Sequence, residues 1–222
     1  MRHTVPALVV LALALGAPPV GAQNPGLPVY NIGVPHGIGL YGDVGFPNSA
    51  AGKGTVLGAT VRAGFGGIGA TATLSSYNPK GPGASDVSVG GTLNYKLLGG
   101  PLVPLSVTLQ GGVSYAKPGS GFLPGQEITA YRFPVGVGFA LVIPNPVLAI
   151  SPWLAPRVDI AYTKVAGASN TDTNFGLSGG LEFNLLNGFG IQAAYDRVFA
   201  KNVADPGTFG VGAHYTFRVP GL

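Results

Sequence analysis

The chain contains no cysteine, one methionine and one tryptophan, and only 9% of its 222 residues carry a charge. Without thiols there is no disulfide, no thiolate nucleophile and no cysteine metal site; the zero count also fits an exported protein. So little charge excludes the ordinary surface of a soluble domain. Lys and Arg number 12 against 8 Asp and Glu, scattered thinly, so there is no basic stripe for nucleic acid. Beyond the N-terminus no run of about 18 apolar residues occurs, which excludes helical membrane spans. The chain has instead 38 glycines, 20 prolines and 46% hydrophobic residues.

The apolar residues follow a period of two. In residues 208–217, Phe209, Val211, Ala213, Tyr215 and Phe217 share one face, and Gly210, Gly212, His214 and Thr216 the other. A strict alternation of this kind is a strand between two unlike environments. The same pattern marks strands at 37–46, 55–65, 68–77, 86–97, 105–115, 129–142, 150–165, 175–185 and 189–198. Gly66-Gly67 and Asn187-Gly188 read as two-residue hairpins. Pro134, Pro152 and Pro156 lack the N–H a ladder needs, so bulges or a shortened seventh strand are expected there. The connections at 47–54, 78–85, 117–128, 166–174 and 199–207 read as long and polar, alternating with short ones.

Residues 1–22 have a positive start, a short apolar core and the Val20-Gly21-Ala22 site of a secretory signal peptide. Residues 23–35, rich in Pro, Gly and Asn, read as a periplasmic lead-in, and 36–222 as one outer-membrane domain. The expected fold is all-β: a transmembrane, antiparallel, up-and-down β-barrel, ten strands with eight as the alternative, apolar face toward lipid. Threading the strands up and down sets Phe46, Tyr115, Tyr131, Tyr162, Phe175, Tyr195 and Phe209 near the outer rim. Phe65, Tyr95, Phe139, Phe183, Phe189, Tyr215 and Phe217 fall near the inner one. Two aromatic girdles around an aliphatic band are the mark of such barrels. A soluble β-sandwich would carry more outward charge.

On this pattern the chain resembles the small bacterial outer-membrane barrels of the OmpA-type transmembrane and opacity-like kind, over roughly residues 36–219. Gly212-x-x-Tyr215-x-Phe217 resembles the C-terminal signal by which such proteins are recognised for barrel assembly, although residues 218–222 follow the Phe that normally ends the chain. The resemblance implies outer-membrane lipid and the barrel-assembly machinery as partners, and location in the outer membrane after removal of the leader. It names no surface ligand.

Inward charges are the candidate functional residues: Asp43, Arg62, Arg132, Arg157, Asp159 and Glu182, with Lys96, Asp196, His214 and Arg218 in the wider set. Charges in a narrow lumen must be paired or hydrated. They form either interstrand ion pairs that plug the lumen or, as resemblance to OmpA-type barrels suggests, a charged constriction around a narrow water path. Arg157, Asp159 and Glu182 come from neighbouring strands and would act together. Ten strands sit near the filled end of barrel sizes, where a wide channel is excluded, while inward glycines leave some room. No metal-ligand spacing, phosphate loop or cofactor motif occurs, and neither His36 nor His214 has a Ser or acid beside it in sequence. No catalytic residue is assigned. Phe122 and Leu123 are the most evident apolar pair in an outer loop. The expected role is structural or interactive with a mostly plugged lumen; a narrow pore for ions or small solutes is the alternative, and a lipid- or peptide-acting enzyme the distant one.

Overall fold

The computed structural model describes residues 23–80, 85–100, 103–117, 128–144, 148–165, 167–201 and 203–217. The expected leader, Phe122, Leu123 and Arg218 therefore lie outside the described residues. The strands are β1 (Gly37–Pro47), β2 (Gly54–Phe65), β3 (Ile68–Pro79), β4 (Asp86–Gly100), β5 (Val103–Ala116) and β6 (Ile128–Leu141). A two-residue bridge, β7 (Ile143–Pro144), precedes β8 (Leu148–Val165), β9 (Ala168–Leu185), β10 (Phe189–Phe199) and β11 (Gly207–Phe217). Every long strand pairs antiparallel with its chain neighbours, β1 pairs β11, and β6 pairs β8 past the bridge. The result is a closed, up-and-down barrel of ten strands, as the alternation implies. Closure leaves no free sheet edge in the ring, so the backbone is satisfied where no water could do it.

Alternation sets the faces. Leu57, Leu93, Val135 and Ile191 point outward at 53%, 70%, 50% and 60% exposure. Thr60, Thr71 and Ser75 point inward and pair across the ladder with Thr73, Thr92 and Ser88 at 2.9, 2.7 and 2.6 Å. At the end carrying the longer connections, hereafter the loop end, outward rings lie side by side: Phe46 opposite Phe209, Tyr195 opposite Phe209, and Tyr115, Tyr131 and Tyr162 in one row. At the turn end Phe189 packs edge-on against Tyr215, and Tyr215 against Phe217, both at 4.7 Å. Two register shifts interrupt the β4–β5 ladder, between Lys96 and Leu98 and between Leu98 and Gly100, and Leu97 and Leu98 both face outward.

Local expectations differ at three places. Gly66 and Gly67 do form the tight β2–β3 turn, with φ of +58° and +97°. The β9–β10 turn is one residue longer than expected. It spans Leu185 to Gly188, with the Gly188 N–H donating to the Leu185 carbonyl at 3.1 Å and only Gly188 at positive φ. Residues 168–174, expected within a loop over 166–174, are strand: β9 begins at Ala168 and pairs with β8 out to Val165. Neither bulge nor shortening marks the prolines. β8 pairs with all 18 residues of β9 in one register, and the cost appears on the other ladders: β6–β8 pairing lapses between Gly136/Arg157 and Phe139/Leu154, around Pro156, and β5–β6 pairing between Gly111/Val135 and Ser114/Arg132, around Pro134. One intact ladder is enough to hold a strand whose other ladder lacks a donor.

The filled lumen as candidate functional site

The expectation of a periplasmic lead-in is corrected by the structure: residues 23–36 run through the barrel interior. Asn24, Leu27, Val29 and Asn31 are each at most 3% exposed. The segment begins toward the loop end, where Asn24 Nδ2 donates to Ser75 Oγ at 3.2 Å. It descends past Tyr30, whose carbonyl accepts from Gln110 Nε2 at 3.5 Å, to Gly33, whose carbonyl accepts from Arg62 Nη2 at 3.4 Å. Asn24-Pro25-Gly26-Leu27 closes a type II turn, with Gly26 at φ +76° and the Leu27 N–H on the Asn24 carbonyl at 3.0 Å. Gly37, at φ +91°, turns the chain back into β1. Pro and Gly here read as an exposed linker. The same prolines also suit burial without a sheet, since Pro25, Pro28 and Pro35 bring no N–H that would need a partner.

The barrel wall is shaped around this segment. A Cβ at Gly45 would overlap the Gly26 carbonyl, one at Gly58 the Leu27 side chain, and one at Gly64 the Pro35 carbonyl. At Gly138 it would come within 2.5 Å of the Asn31 amide, and at Gly210 within 2.8 Å of Pro28 and Tyr30. Tyr30 and Ile32 pack on a small apolar cluster of Ala140, Trp153, Ala155 and Ala194, with the Tyr30 and Trp153 rings 6.2 Å apart. Of the inward glycines that the sequence offers as room, Gly90, Gly138 and Gly210 are thus taken up by the segment, while Gly136, Gly180 and Gly212 lie against other residues of the wall.

On the strands that seat Tyr30 and Ile32 stands a buried ion network, from β6, β8, β9 and β10. Arg132 Nη2 lies 2.8 Å from Asp159 Oδ1, and Arg157 Nε 2.7 Å from Asp159 Oδ2. The other side of the Arg157 guanidinium meets Asp196, with Nη1 at 2.7 Å from Oδ1 and Nη2 at 3.0 Å from Oδ2. Ser178 Oγ accepts from Arg157 Nη1 at 2.6 Å and donates to Asp196. The side chains of Arg132, Arg157, Asp159 and Asp196 are each no more than 3% exposed. Gly176 is what lets Arg157 lie flat against the wall: a Cβ there would stand 2.7 Å from the guanidinium carbon. Two arginines and two aspartates balance in charge, which such burial requires.

A second polar cluster lines the turn end. The Arg62 guanidinium lies 4.9 Å over the Tyr41 ring, and Tyr41 stacks on His214 at 4.5 Å. His214 Nε2 is 2.9 Å from Asn184 Oδ1 and 3.9 Å from Glu182 Oε1, and Asn184 Nδ2 donates to Glu182 at 2.8 Å. His214 reaches these residues of β9 across β10 because Gly190 has no Cβ to block its ring. This cluster borders a cavity of about 490 Å³, also lined by His36, Ser151 and Thr216. Past Tyr41 and Arg62 the space falls to about 30 Å³ beside Asp43, whose Oδ1 accepts from Gln192 Nε2 at 2.6 Å.

All six expected charges therefore face the lumen, but not as one set. Arg132, Arg157 and Asp159 share the network; Glu182 stands apart with Asn184 and His214, Arg62 with Tyr41, and Asp43 with Gln192. The joint action expected of Arg157 and Glu182 is not what the structure forms. Asp196 completes the network in Glu182's stead; it belonged to the inward residues of its strand, yet nothing in sequence paired it with an arginine 39 positions away. Gly212 of the C-terminal signal faces inward, where a Cβ would overlap the Asp43 carboxylate. Outside the lumen, at the loop end, Arg197 Nη2 binds Asp205 Oδ2 at 2.6 Å and the Ala200 N–H donates to Oδ1 at 3.0 Å. These two donors hold the Asp205 carboxyl below the usual carboxylate range.

A closed, lipid-facing barrel with a filled lumen agrees with the comparison to known families. Residues 54–217 match the outer membrane protein beta-barrel domain. The chain belongs to this family. Its location is accordingly the outer membrane, and in the family's arrangement the turn end faces the periplasm. β1 and residues 23–36 precede the matched stretch. No curated protein matches the sequence. Among solved structures, the chain is similar to the beta domain of the Bordetella autotransporter BrkA at TM-score 0.50 and 14% identity, covering 81% of this chain and 98% of that one. It is also similar to the N-terminal beta-barrel domain of Pseudomonas aeruginosa OprF, at TM-score 0.40 and 10% identity over 81% and 96% of the two chains. Ail, the attachment invasion locus protein of Yersinia pestis, matches at TM-score 0.39 and 18% identity over 82% and 100%. Identities this low speak for the fold alone.

Proposed function

We propose that this protein is a closed outer-membrane barrel that acts structurally, or through contacts at its outer rim, and passes no solute in its resting state. The observation that carries this is the lumen. Residues 23–36 run through it from loop end to turn end, and the Arg132–Asp159–Arg157–Asp196 network fills the space beside them along β6, β8 and β10. The functional surface is then what remains outside: the β8–β9 hairpin, whose residues 168–174 extend past the last β9–β10 pair at Phe175/Phe199, and the loop pinned by Arg197 and Asp205. Lipid contacts the apolar outer wall, and the barrel-assembly machinery would read Gly212, Tyr215 and Phe217. A cleaved leader over residues 1–22 belongs to the same proposal.

No enzymatic role is proposed. His214 has its Nε2 engaged by Asn184 and its ring stacked on Tyr41, behind the residues that line the cavity on the periplasmic side. A narrow pore is the alternative, supported by two cavities, of about 490 and 30 Å³, that meet the Arg62–Tyr41 stack from either side. Refolded protein in a planar lipid bilayer decides between them, with insertion verified by heat-dependent gel mobility. The closed barrel is expected to give no conductance steps. Discrete steps that change with Arg62→Gln would replace it with the pore.

A further inference from the structure

We propose that the lumen wall is a peptide-binding groove for an extended Gly/Pro-rich segment, filled in cis by residues 24–35, which makes the N-terminal segment a removable plug. The proposal rests on the closed-lumen reading above. Shape argues for a groove: Gly45, Gly58, Gly64, Gly138 and Gly210 each leave a hollow matched to a particular atom group of the segment. The apolar seat for Tyr30 and Ile32 adds an anchor. Tethering argues for removability. Residues 28–36 belong to no strand, and the side-chain hydrogen bonds from the wall to the segment's carbonyls are long, at 3.4 and 3.5 Å. Asn31 Oδ1 and Asn24 Oδ1 are buried without a hydrogen-bond partner, and the Tyr30 hydroxyl meets only the Asp43 carboxylate. A segment fitted by shape but poorly tied by hydrogen bonds is one that its own barrel can release without breaking the sheet.

The chain keeps its full length in the test, with residues 24–35 replaced by a Gly-Ser run. The replaced protein is expected to conduct in a planar bilayer where the native chain is silent. A synthetic peptide of residues 24–35 should close it from the turn side, and a scrambled peptide should not. Steps indifferent to the peptide would overturn the groove. A silent replaced chain with verified insertion would overturn the plug while leaving the closed lumen standing on the ion network. Conductance by the native chain would sink the closed-lumen reading itself and the plug with it.

A second measurement covers failure of the replaced chain to insert. In native sequence, a Val29→Cys thiol should react with a maleimide at least ~100-fold more slowly than a Ser49→Cys thiol in the exposed connection, because burial limits reaction to local opening. Gly210→Val, which intrudes on Pro28 and Tyr30, should speed the Val29→Cys reaction by about tenfold or more by raising the open population. Equal rates for the two thiols, or no effect of Gly210→Val, would refute the plug.

Discussion

A single guanidinium decides how the lumen charges behave. Arg157 touches both aspartates of its network, so its loss strands the buried Asp196 without a cation and leaves Asp159 to Arg132 alone, whereas loss of Arg132 leaves both aspartates paired. Arg157→Leu is expected to destabilise the barrel by about 3–5 kcal/mol, read as an earlier midpoint in urea unfolding from lipid vesicles. Glu182→Gln should cost less than about 1 kcal/mol, because Glu182 lines the periplasmic cavity, holds no arginine, and its Asn184 contact survives as an amide pair. Comparable losses in both variants would mean that Glu182 belongs to the network after all. That these positions face inward is legible from the period of two; which ones meet depends on barrel closure and on Gly176 opening the wall beside Arg157.

Strands tolerate changes in pairs and not singly. Removing Lys164, Val165, Ala168 and Ser169 deletes two opposed pairs from the β8–β9 hairpin tip and keeps every remaining face. Such a chain should refold with unchanged heat-dependent mobility and a stability within about 1 kcal/mol of the parent. Deleting Leu181 alone shifts β9 by one residue and would turn Glu182 and Asn184 toward lipid, so no heat-modifiable barrel is expected. Recovery of a barrel from that deletion would show that register here is loosely specified. The elements themselves were readable because both faces differ sharply in polarity. The extent of β9 was not, since Ser169, Asn170, Thr171 and Asp172 have loop-like chemistry and are strand only because β8 pairs with them.

The whole molecule is an inverted globule: large apolar side chains outside, charges and a stretch of its own backbone within. Leu93 stands at the middle of β4 and is 70% exposed, so Leu93→Arg should cost about 2–4 kcal/mol in a bilayer if it lies at the midplane. Vesicle unfolding measures this, and a negligible cost would move the lipid band away from Leu93. A ring of ten strands is wide enough to hold something besides side chains. In this barrel part of that volume is taken by residues 23–36, and the remainder by the arginine–aspartate network and the periplasmic cavity.

By itself the sequence determined the architecture: scarce charge, strict alternation and two aromatic girdles force a closed lipid-facing barrel, because no other strand arrangement satisfies both faces and every backbone group. It also placed the six charges inside. Only the tertiary structure decided what fills the lumen. Residues 23–35 carry no period and no partner in sequence, and their place follows from hollows that distant strands create together. Which charges pair was settled in the same way, by the sheet that lets Arg157 of β8 reach across β9, past Gly176, to Asp196 of β10.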